Sequence, residues 1–99
     1  MTSNTDVNNP DEYQKLTNEE KQILLSWIPN NLGRADRIYK KYSSYDLKHF
    51  FEKSPQGFYL TNGQFKGAML AAEYRVLDKN ALNWHFNISK IFIERLKNS

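Results

Sequence analysis

Apolar residues recur at helical spacing along most of this chain and at alternate positions in one stretch. After a Thr17–Glu20 capping-box pattern, Ile23, Leu24, Trp27 and Ile28 lie on one helical face. Pro29 is expected to stop that helix, with Asn30 to Gly33 as a connector. In "RADRIYKKYSSYDLKHFFEKS", Ala35, Ile38, Tyr39 and Tyr42 again repeat at helical spacing. Arg34, Arg37, Lys40 and Lys41 fall opposite them, which predicts an amphipathic helix with a basic outer face. A serine at the Ser43-Ser44 break caps a further short helix, with Leu47, Phe50 and Phe51 inward and Tyr45, Lys48, His49 and Glu52 outward.

The stretch "FYLTNGQFKGAML" carries two competing signals. Asn62-Gly63 between apolar runs suits a hairpin turn, whereas Thr61 and Gln64 form a capping-box pattern. Spacing decides between them. Phe65, Ala68, Met69 and Ala72 follow the i, i+3, i+4, i+7 rule without alternation, so residues 62–73 are expected to be helical with Thr61 as cap. The period then changes. Leu82, Trp84, Phe86 and Ile88 alternate with Asn83, His85, Asn87 and Ser89, a half-buried strand that Tyr74 to Leu77 could pair with across Asp78–Ala81. Ile91, Phe92 and Leu96 suggest a closing helix from Ser89.

Helices followed by a two-stranded wing resemble a winged helix, on residues 43–88. The expected fold is therefore α+β and mostly α: a small winged-helix-like domain of four or five helices with a short β-hairpin. The link at residues 54–60 is longer than the usual turn of a helix-turn-helix. The blocks "SYDLKHFFE", "GFYLTNGQFKGAMLAAEY" and "NALNWHFNIS" also look like segments of short uncharacterised proteins of bacterial phages and plasmids, a resemblance that carries no activity with it.

The 99 residues allow one domain. Residues 1–16 are polar and acidic without apolar period and read as a disordered arm, leaving 17–97 as the domain. Fourteen aromatic side chains compensate for the short chain, since each buries about 150–250 Å² when interior. With no cysteine, disulfides, thiolate catalysis and cysteine-ligated zinc are excluded. No stretch is long and apolar enough to span a membrane and no signal pattern opens the chain, so a cytoplasmic location is expected.

Charge is uneven. Residues 1–33 carry a balance of −3 and residues 34–99 a balance of +6. That asymmetry suits a nucleic-acid surface, against the plainer alternative of ordinary surface charge. Catalytic parts are few. His49 has Asp46 and Glu52 nearby and His85 lies among asparagines, but neither group makes a metal site or a general-base constellation. No phosphate loop or nucleophile motif is present, so neither enzyme activity, cofactor nor metal is expected.

Two function classes follow. The first is a DNA-binding protein of a phage or mobile element, a regulator or replication accessory acting on duplex DNA. Arg34, Arg37, Lys40 and Lys41 would contact phosphates. Asn62, Gln64 and Lys66 would reach base edges from a helix tip, and Arg75 and Lys79 would act from the wing. The second is a protein-binding inhibitor of a host defence enzyme, of anti-CRISPR or anti-restriction type, docking through Gly63, Gly67, Leu70 and Tyr74.

Overall fold

The computed structural model describes residues 6–98. Five helices lie along it: a 3-10 helix at Pro10–Lys15, then α1 at Asn18–Leu32, α2 at Ser44–Lys53, α3 at Asn62–Ala71 and α4 at Lys90–Lys97. Local chemistry accounts for their starts. Thr17 and Glu20 form a reciprocal capping box at α1, and Thr61 and Gln64 form one at α3. Ser43 and Asp46 do the same at α2, and Ser89 caps α4.

Pro29 does not stop α1, which runs on to Leu32. A proline inside a helix costs about 3 kcal/mol. Ile28 and Leu32 are both fully buried, and each contributes roughly 1.5–3 kcal/mol on burial, enough to carry the last turn. Gly33 then ends the helix at a φ of 59°, a conformation that favours glycine.

The expected basic helix at residues 34–42 is absent. The segment is an irregular connector lying against residues 86 and 87: Ala35 N–H donates to Asn87 O (2.9 Å) and Tyr39 N–H to Phe86 O (3.0 Å). Nine residues make a marginal helix without tertiary support. Pairing with the extended chain instead satisfies the Ala35 and Tyr39 amides and the Ala35 carbonyl, and Tyr39 and Tyr42 still pack on the core.

The winged-helix expectation is overturned. Among the described residues there is no sheet, only isolated antiparallel bridges from Phe86 to Val76 and to Tyr39. The apolar half of the expected alternation holds, with Trp84, Phe86 and Ile88 buried, but Asn87 on the expected polar face is buried as well, bonded to Arg75 N–H and Ala35 O. Leu82, the first member of that pattern, is exposed. Segment 84–88 is a single extended chain threaded through the core: Ala35, Tyr39 and Ser44 N–H donate to its carbonyls on one side, and Leu77 N–H and Arg75 N–H to His85 O and Asn87 Oδ1 on the other. It cannot be a solvent-facing wing, because both flanks are occupied.

Part of the expected disordered arm is also structured. Residues 1–5 lie outside the described residues, but Tyr13 and Leu16 are buried in the core and Gly63 N–H donates to Val7 O (2.7 Å). The core itself gathers α1, α2, α3 and the threaded chain around Phe51, Phe65 and Phe86. Phe51 meets Trp27 and Phe58 edge-on at 5.2 and 5.0 Å.

Candidate functional site

Most of the residues expected to bind DNA serve the fold instead. Arg34 donates to Ala72 O (2.8 Å) and Glu73 O (3.0 Å), and its guanidinium stacks on the Tyr74 ring at 3.9 Å. It neutralises the carbonyl end of α3, where a cation is favourable. Arg75 donates to Asp36 O. Gln64 is occupied in the capping box of α3.

Asn62 and Lys66 are buried, with 6% and 4% of their surfaces exposed. Asn62 Nδ2 donates to Asn8 Oδ1 (3.0 Å), Leu82 O (3.1 Å) and Asn83 Oδ1 (3.0 Å), while its Oδ1 accepts from Ser44 Oγ (2.8 Å). Ser44 Oγ in turn accepts from Trp84 N–H at 3.0 Å. Lys66 Nζ donates to Leu82 O at 3.0 Å and lies 4.6 Å from the centre of the Trp84 ring. Burial lowers its pKa, opposed by the carboxylate of Asp6. A helix tip enclosed in this way cannot enter a DNA groove. Arg34 and Arg75 are exposed but engaged by backbone carbonyls; of the expected set, Arg37, Lys40, Lys41 and Lys79 are exposed without such a backbone bond.

The small-residue docking face is covered as well. A Cβ on Gly63 would meet Asn9 O at 2.1 Å, and one on Gly67 would meet Pro10 O at 2.3 Å. The 3-10 segment lies directly on that stripe. Tyr74 is buried, its hydroxyl donating to Gly33 O (2.6 Å), and burial raises its pKa. Leu70 is partly buried against the core.

A different surface brings cations together. The C-terminal ends of α1, α2 and α4 bound a cleft of about 720 Å³ between Trp27, Asn31, Phe50, Lys53, Gln56 and Lys97. Smaller hollows on either side share Asn31 with it and add Asn30, Arg95 and Gln22. No carboxylate lines any of the three. Tyr42 organises one end: Lys41 Nζ sits 5.6 Å from its ring centre, and its proximity to Lys97 raises the pKa of that lysine, with help from Glu94. Phe50 packs edge-on against Tyr42 at 5.7 Å.

The outer face of α2 continues from there. His49, Phe50 and Lys53 share a hollow with Tyr42 and Asp46. His49 Nδ1 lies 3.0 Å from Glu52 Oε1, and Glu52 Oε2 accepts from Leu60 N–H (2.9 Å) and Lys48 Nζ (3.3 Å). Burial of Glu52 favours its neutral form, but the Leu60 amide, Lys48 and His49 outweigh it and hold the carboxyl below its ordinary value. Asp46 is engaged at the start of α2, accepting from Ser43 N–H (2.9 Å) and Ser43 Oγ (3.2 Å). Among the described residues no group of three His, Asp or Glu side chains is placed to hold a metal, and no helix is long and apolar enough to cross a membrane.

Lys53, Arg95 and Lys97 escaped the sequence reading. Their only signal is position in the last turns of helices, and that two such turns converge is a tertiary fact. Neither a family model, a curated protein nor a solved structure matches the chain.

Proposed function

We propose that the chain is a non-enzymatic nucleic-acid-binding protein of a phage or mobile element, acting in the cytoplasm through phosphate contacts. The observation that carries this reading is the acid-free cleft with Lys53, Arg95 and Lys97 among neutral amides. Charge magnitudes support it. Each of the three helix ends contributes roughly half a negative charge, about one and a half in total, against three cations. Lys41 adds a fourth cation at the Tyr42 end, and Glu94 offsets one. The surface stays positive and suits a phosphate backbone without reading bases.

Binding to duplex and single-stranded DNA across about 50 to 200 mM salt tests the reading. Three to four phosphate contacts predict a log–log slope of about −3. Lys53→Glu and Lys97→Glu should each weaken all sequences alike and flatten the slope by about one unit. No binding of either DNA at the low end overturns the proposal. A second reading, inhibition of a host enzyme by protein contact, draws support from the exposed tyrosines Tyr45 and Tyr59, since its original face is covered. It predicts a complex that responds little to salt.

A further inference from the structure

We infer, resting on the reading above, that the nucleic acid taken is single-stranded and that Tyr45 and Tyr59 stack its bases. Tyr45 on α2 and Tyr59 on the link to α3 are both exposed, at 49% and 75%. Each ring offers a flat apolar face with a polar hydroxyl at its edge, the kind of surface on which a base can stack. Lys48 fixes both rings from below: its Nζ lies 5.1 Å from the Tyr45 centroid and 5.5 Å from that of Tyr59. Lys48 is itself buried and paired with Glu52 at 3.3 Å, so this support does not wander. Tyr45 further meets His49 edge-on at 4.5 Å. The platform is preorganised, which lowers the ordering cost of binding.

Continuity with the cations makes the case for a strand over a protein partner. From Tyr45 the surface passes through His49 to the hollow shared by Tyr42 and Lys53, and so to the cationic cleft. Of the carboxylates on this path, Glu52 is paired with Lys48 and His49 and accepts from Leu60 N–H, while Asp46 remains a carboxylate held at the start of α2 by Ser43. Aromatic rings beside a positive groove are the pattern that binds unpaired strands, with bases on the rings and phosphates on the cations. A duplex keeps its bases stacked inside and gains nothing from exposed tyrosines.

Fluorescence anisotropy with a labelled oligothymidine and with a duplex of the same length tests this. The single strand should bind more tightly than the duplex. Tyr59→Ala and Tyr45→Ala should each weaken the single strand roughly ten- to a hundredfold and leave the duplex unchanged. Tyr59→Phe, which keeps the ring, should retain most of the affinity. Both tyrosines are exposed, so these variants should keep the wild-type melting temperature. Equal single-strand binding by the alanine variants, or a wild-type preference for duplex, overturns the inference. If Lys53→Glu still weakens both DNAs in that event, the phosphate-contact reading survives without stacking. If neither DNA binds, both readings fall, and a protein that docks on the tyrosines replaces the strand.

Discussion

Gly67 and Glu52 show how single positions hold this molecule together. At Gly67 a side chain would collide with Pro10 O and with Tyr13 Cβ at 2.4 Å, so the 3-10 segment sits against bare backbone. Gly67→Val should lift that segment and cost about 1–3 kcal/mol. Thermal melting should show the loss, and limited proteolysis should cut near residues 6–16 while the remainder stays resistant. Glu52 ties α2 to the loop before α3 through Leu60 N–H. Its folded pKa is lowered below 4.5, so its contribution is complete above that value and fades as pH falls through the folded value. Glu52→Gln should therefore be less stable than wild type at neutral pH, and the gap should narrow as pH falls below 4.5 in urea melts. A gap that is constant with pH would show that the carboxylate charge is not what stabilises the loop.

At the scale of elements, the helices with clear caps and apolar spacing are where the sequence places them. The basic connector and the wing are not. The 3-10 helix is the instructive case. Residues 1–16 show no apolar period, yet Tyr13 and Leu16 enter the core and Lys21 Nζ lies 5.1 Å from the Tyr13 ring centre. Two anchors suffice when a groove is ready for them. The pair is worth roughly 3–6 kcal/mol as an upper estimate. Deleting residues 1–16 should lower the melting temperature by about 10 °C or more. An unchanged melting temperature would mean that the segment does not hold to α3 in solution.

For the whole molecule, the hydrogen bonds around Asn62 join four separate stretches: Asn8, Ser44, α3 and residues 82–84. Burying this amide is tolerable because every arm has a partner. Asn62→Ala would take the acceptor from the Ser44 hydroxyl and a donor from Asn8 and Asn83 Oδ1, while Leu82 O keeps Lys66, at about 1–3 kcal/mol for each buried group left unpaired. A loss of roughly 2–4 kcal/mol is a large part of the 5–15 kcal/mol typical of a domain. Chemical denaturation of this variant should show the midpoint falling while the slope is kept. A fall in slope instead would mean that the stretches come apart separately.

The sequence by itself determined what depends on neighbours along the chain. The Thr17 and Thr61 capping boxes, the apolar stripe of α3 and the alternation of Trp84, Phe86 and Ile88 all rest on contacts within a few residues, and all are present. Net charge and its uneven halves were likewise plain from composition. The tertiary structure alone decided which polar side chains remained available. Arg34, Asn62 and Lys66 look like surface groups in one dimension, yet a helix end, an asparagine node and a backbone carbonyl consume them. Lys53 and Lys97, forty-four positions apart, meet only because α2 and α4 end at the same cleft. Spacing reports which face of an element is apolar. What covers that face, or gathers on the opposite one, is set by long-range packing that no local pattern encodes.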